Sequence, residues 1–163
     1  MKLSEKLNEA FNKQVTAEFE AALTYRQLSY IFDDMSLTGM RDWMARQADE
    51  ELTHAADFAQ HMLDREALPQ IGTIEAPALK IQTAIEGFEA ALAHEQKVSG
   101  LIRDLSDLAA AEGDSFARPF LDTYLNEQIE EEATVSEIID RLRMVGEDGS
   151  GILRIDAELG ARQ

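Results

Sequence analysis

A chain of 163 residues, 45% hydrophobic and 29% charged, has the size and composition of one globular domain. The absence of cysteine excludes disulfides, zinc ribbons, rubredoxin-type iron and thiol nucleophiles. Fifteen basic residues against 32 acidic ones leave a net charge of −17, which disfavours nucleic acid and anionic membranes and favours cations.

Only three prolines and nine glycines interrupt a chain whose apolar residues recur at three- and four-residue spacing. Ser4 caps a first helix that runs to about Asp33. After DDMSLTG, a second helix runs from about Thr38 to Glu66 and stops before Pro69. Residues 67–82 (ALPQIGTIEAPALKIQ) hold two prolines and a glycine without sustained period, and read as a connection. Thr83-Ala84-Ile85-Glu86 is a capping box that opens a third helix, which continues to about Ala111 and is broken by Gly113. A fourth helix starts near Pro119 and ends at Gly146, a residue suited to a left-handed C-cap. The tail ILRIDAEL, about 150–160, forms a short fifth helix. The core stripes end near Leu142, so removal of the tail from Ser150 onward is expected to leave the bundle folded. No apolar run approaches the ~18 residues needed to cross a bilayer. The opening MKLSEKLNEAF is amphipathic and unlike a signal peptide, which makes the cytoplasm the default location.

Loop lengths give the topology. Each long helix has about 28 residues and spans roughly 42 Å. The first-to-second and third-to-fourth links are short, which makes both pairs antiparallel hairpins. The middle connection reaches roughly 50 Å when extended, enough to run the length of the bundle. The expected fold is all-α: a four-helix bundle over about 4–146 with one long crossover and a short C-terminal fifth helix, all one domain over 1–163.

The heptad stripes carry the chemistry. Along the helices they read Phe11, Gln14, Glu18, Ala21, Tyr25; then Met44, Gln47, Glu51, His54, Phe58; then Ala91, Glu95, Val98; and last Tyr124, Gln128, Glu131, Val135. Each stripe is apolar at its ends and carries a glutamate at its middle. Helices of equal length bring their midpoints to one level, so Glu18, Glu51, Glu95 and Glu131 converge inside the bundle. An unpaired buried carboxylate costs several kcal/mol, about 3–5 or more when the partner is missing, and four like charges together cost more. Two divalent cations, with Glu51 able to bridge them, resolve that conflict. An oxygen-rich set with one imidazole suits iron or manganese.

These residues resemble the ferritin family, and among its members the bacterial non-haem ferritins. The resemblance covers essentially the whole chain. It rests on Glu18 with Tyr25 seven residues on, Glu50-Glu51-x-x-His54, His94-Glu95-Gln96, and Asn126-Glu127-Gln128-Ile129-Glu130-Glu131-Glu132. It implies an iron-storage protein with ferroxidase activity, taking Fe(II) and O₂ or H₂O₂ and laying down ferric oxyhydroxide. The implied assembly is a cage of twenty-four copies, with the tail helix lining fourfold contacts. By the resemblance, Glu18, Glu51 and His54 hold a first iron, and Glu51 and Glu95 a second. Gln128 and Glu131 stand beside the second, and Tyr25 donates an electron or a hydrogen bond nearby. Glu50, Glu127 and Glu130 lie one position off the stripe at the same height. Non-haem bacterial ferritins use such a trio for a third iron, which is expected to be separable from the first two. No haem is expected.

The pattern departs from many di-iron bundles in having Gln128-x-x-Glu131 where a second Glu-x-x-His is usual. One imidazole makes the two irons inequivalent, argues against a bacterioferritin, and favours a centre that passes Fe(III) on. His94 points about 100° from Glu95 and is expected at the surface or at an inter-subunit contact. His61 is expected to be structural, Trp43 to pack, and Met40, Met44 and Met62 to fill the core. Ile129 is expected to pack against a neighbouring helix, and Glu132, Glu137 and Asp140 to be surface acids. A di-iron oxygenase, a storage cage without a working centre, and a metal-free helical interaction protein are the rival readings. The first is disfavoured by the missing second histidine and cysteines, the second by the complete set Glu18, Glu51, His54 and Glu95.

Overall fold

The computed structural model describes residues 2–161. Met1, Arg162 and Gln163, part of the expected domain 1–163, lie outside the described residues. Five helices follow in order: α1 (Glu5–Asp34), α2 (Thr38–Asp64), α3 (Ala84–Ala111), α4 (Arg118–Val145) and α5 (Gly149–Ala161). α1 packs against α2 and α3 against α4, with α1 against α3 closing the bundle.

Local signals set the ends of these helices. The Ser4 hydroxyl accepts a hydrogen bond from the Leu7 amide at 3.3 Å, which satisfies one of the free N–H groups of the first turn. Thr83 and Glu86 form the reciprocal capping box at the start of α3. Gly146 ends α4 with φ of 57°. Residues 65–83 form the crossover, which runs along α1: the Gln70 amide donates to Asn12 Oδ1 at 2.6 Å and the Gly72 amide to Thr16 Oγ1 at 2.9 Å.

The apolar interior is divided in two. One cluster, built around Leu28, Phe32, Met40, Met44 and Phe88, fills one half of the bundle. The other, around Leu7, Phe11, Phe58, Met62 and Leu121, fills the other half. Between them lies a layer of buried Glu18, Glu51, Glu95 and Gln128.

One expectation fails here: Ile129 does not pack within the chain; it is 70% exposed. The tail helix is packed on its own chain. α5 packs on α2 and α4 and buries Ile155 and Leu159 in the same cluster as Met40 and Trp43. α2 has no side-chain cap of its own at Leu37. The cap comes from α5, where buried Asp156 accepts from the Met40 amide at 2.8 Å. The two backbones meet closely enough that a Cβ on Gly39 would lie 1.8 Å from the Asp156 carbonyl oxygen.

Candidate metal centre

The layer between the two apolar clusters is built from all four long helices. α1 contributes Glu18, α2 contributes Glu51 and His54, α3 contributes Glu95, and α4 contributes Gln128 and Glu131. One ligand atom from each of Glu18, Glu51 and His54 lies within 4.8 Å of the other two, a spacing that fits one cation. His54 Nδ1 is 3.5 Å from Glu51 Oε2, and the histidine side chain is 12% exposed.

The donors around these acids are unevenly shared. Glu18 Oε1 accepts from Gln14 Nε2 at 2.7 Å, while the buried Glu18 Oε2 and Glu51 Oε2 find no donor outside the Glu18–Glu51 pair, whose carboxyls hydrogen-bond each other when one is protonated. Glu95, in contrast, is fully provided for: the Tyr25 hydroxyl donates to one oxygen and Gln128 Nε2 to the other, the latter at 3.0 Å. Gln47 Nε2 donates to Glu131 Oε2 at 3.1 Å. Gln14 serves the acid one turn on in its own helix, as its spacing indicates, whereas Gln47, one turn before Glu51, serves Glu131 of α4 instead, which no spacing tells.

Burial is the first cause of every shift in this layer. Burial, then repulsion from Glu51, holds the Glu18 carboxyl well above its ordinary range. Glu51 is pushed up to about 8 by burial and then by Glu95. Glu131 is pushed up to about 7 by burial and then by Glu50. Glu95 is also raised by burial, with Tyr25 and Gln128 opposing the shift. The metal-free layer therefore holds protons at neutral pH where a divalent cation would otherwise balance the charge. Carboxylate oxygens without a donor outside their own pair, raised acids and one imidazole together fit such a cation.

The sign of the pH effect follows. Glu51 has an ordinary value of 4.5 and a folded value of about 8. Its contribution is therefore fully present below pH 4.5 and is lost as pH rises through 8. Metal-free Glu51→Gln protein should lack this loss. Between pH 5.5 and 8 the wild type should fall relative to the variant by on the order of 1–3 kcal/mol, or about 2–4 °C per kcal/mol in apparent melting temperature. Parallel melting profiles of the two proteins across that range would remove Glu51 as the source.

The remaining sequence candidates fall into place differently. Tyr25 is fully buried beside the layer. Glu50 and Glu130 are exposed, and among the described residues Glu50, Glu127 and Glu130 do not form a group that could share one ion. Glu127 turns instead toward His54, with 3.7 Å between its Oε2 and His54 Nε2. His61 packs against the rings of Phe11 and Phe120, at 5.2 and 4.3 Å, as a structural residue. His94 is not at an open surface. With crossover residues Glu75, Pro77 and Leu79 it lines a hollow, its Nε2 is buried, and burial followed by Lys97 depresses it to about 4.

The Ferritin-like domain family model matches residues 8–145. A bacterial non-haem ferritin of Bacteroides fragilis (strain 638R) is 36% identical over 160 residues, covering 98% of this chain and 99% of that protein. A bacterial non-haem ferritin of Escherichia coli O6:H1 is 32% identical over 157 residues, covering 96% and 95%. The crystal structure of an open pore ferritin from the hyperthermophilic archaeon Archaeoglobus fulgidus superposes with a TM-score of 0.97 at 35% identity, covering 99% of this chain and 100% of that one. Among the described residues no helix is long and apolar enough to cross a membrane. Full-length sequence likeness, a matching five-helix fold and an acidic layer at the middle of the bundle agree, and the chain belongs to the ferritin family.

Proposed function

We propose that this chain stores iron and oxidises it. Fe(II) is the substrate, O₂ or H₂O₂ the oxidant, and ferric oxyhydroxide the stored product, which makes the protein a ferroxidase. The observation that carries the reading is the convergence of Glu18, Glu51 and His54 within the reach of one cation, with buried oxygens on both acids that no donor outside the pair fills.

Glu18, Glu51 and His54 hold the first Fe(II). Glu51 and Glu95 hold the second, for which Glu95 must exchange the hydrogen bonds of Tyr25 or Gln128 for metal. Gln128 and Glu131 stand beside it. The two ions supply the electrons, and the chain supplies everything else. Its carboxyls give up protons as cations enter, its two apolar clusters keep bulk water out, and the Tyr25 hydroxyl, directed at Glu95, is placed to deliver a further electron with its proton passing to that carboxylate. Glu50, Glu127 and Glu130 form the inner acidic face toward which oxidised iron leaves; they are too far apart for one ion as they stand, and can hold a third only once their side chains turn toward one another. The whole chain acts as one domain, and twenty-four copies enclose the store. The reducing cytoplasm, where Fe(II) persists, is the compartment that supplies the substrate.

Stoichiometric Fe(II) added in air to metal-free protein tests this. A near-ultraviolet ferric band should appear in a species of about 440 kDa, twenty-four chains of 18.2 kDa each. A small species with no ferric band would sink the reading.

A further inference from the structure

His54 is the one imidazole in the buried layer, and its two nitrogens face two different carboxylates. Nδ1 lies 3.5 Å from Glu51 Oε2, on the side of the Glu18–Glu51 pair. Nε2 lies 3.7 Å from Glu127 Oε2, on the opposite side. The ring is also fixed in plane: Tyr124 meets it edge-on at 5.3 Å and 86°, and is itself anchored by donating to Asp57 Oδ2 at 3.0 Å.

A neutral imidazole has one nitrogen with a free lone pair and one carrying a proton. If Nδ1 is to ligate, the proton must sit on Nε2, and the group that accepts it there decides whether the ligating tautomer is the stable one. Glu127 is the carboxylate that Nε2 faces. Although the Glu127 side chain is 44% exposed as a whole, its Oε2 is buried and has no hydrogen-bond partner. A carboxylate serving only a solvated acidic face would turn that oxygen to water. At 3.7 Å the contact is not yet a hydrogen bond. A small rotation of the Glu127 side chain closes it.

We propose that Glu127 is a positioning residue for His54: it accepts the Nε2–H and so presents Nδ1 to the first Fe(II). This rests on the reading of Glu18, Glu51 and His54 as the first position. It also means that the inner acidic trio is not separable from the main centre, because one of its members orients a ligand of the first ion.

The test is anaerobic titration of metal-free wild type, Glu127→Ala, Glu127→Gln and Glu137→Ala with Co(II), whose visible bands report nitrogen ligation. Glu137 is an exposed acid on the same helix and controls for the lost charge. Glu127→Ala should weaken the nitrogen-ligated position by about 10- to 100-fold, the cost usual for losing the outer partner of a ligating histidine. Glu127→Gln, whose amide oxygen still accepts, should stay within a few-fold of wild type, as should Glu137→Ala. Equal losses in Glu127→Ala and Glu127→Gln would mean that charge alone matters, and would overturn the assignment. So would wild-type affinity in Glu127→Ala. Wild-type protein that never shows nitrogen-ligated Co(II) would overturn the first position itself and this inference with it.

Discussion

Replacing Glu51 by alanine should lower the fast phase of Fe(II) oxidation by at least about tenfold, since even an outer partner of a metal ligand is worth 10- to 100-fold. Glu51 is the acid that both proposed positions share, and its Oε2 is one of the buried oxygens that find no donor outside the Glu18–Glu51 pair. The same substitution should leave the metal-free protein no less stable. At pH 7 a carboxyl moved from 4.5 to about 8 costs on the order of 3 kcal/mol. Loss of its Cγ methylene costs about 0.8 kcal/mol in burial, and a cavity adds to that. Stopped-flow absorbance in the near ultraviolet and thermal unfolding without metal check the two halves separately. Initial rates equal to wild type would falsify the role of Glu51, whatever the stability.

The second large effect concerns the tail. Deleting residues from Ser150 onward should lower the apparent melting temperature by about 10 °C or more. Ile155 and Leu159 each contribute roughly 1.5–3 kcal/mol of burial, and the Asp156 cap about 1 more, at about 2–4 °C per kcal/mol for a chain of this size. The variant Asp156→Ala isolates the cap and should cost only a few degrees. Its target is the first turn of α2, so amide exchange should quicken there and not in α3. A truncated protein that melts with the wild type would show that α5 contributes nothing to the fold of its own chain.

The helices, their pairing and the level of the acids were legible in the sequence, because each depends on interactions of short range. Ser4 caps Leu7 three residues away, Thr83 and Glu86 cap each other, and Gly146 alone can take its positive φ cheaply. Stripe periodicity put Glu18, Glu51 and Glu95 on inward faces, and short links against one long link set the antiparallel pairs. Such reasoning gives the angle of a residue about its own helix and its height along it. It does not say which residue of another helix stands opposite.

Only the tertiary structure decided those matches. Asp156 reaches Met40 across 116 positions, a contact no local pattern encodes. Glu127, one position off the stripe, reads as part of a solvated acidic face until α4 is set against α2, where it meets His54. Glu95 and Glu51 look alike along the chain, yet Tyr25 and Gln128 fill the oxygens of one while an oxygen of the other finds no donor outside the Glu18–Glu51 pair. His94 points away from the centre as its angle requires, but the crossover, which has no period to read, forms the far wall of the hollow that it lines. The physical reason is common to the first three. Helix geometry is set by hydrogen bonds within a few residues, whereas the partners of a side chain at an interhelical seam depend on the rotation and offset of two helices, which the packing of both apolar clusters settles at once.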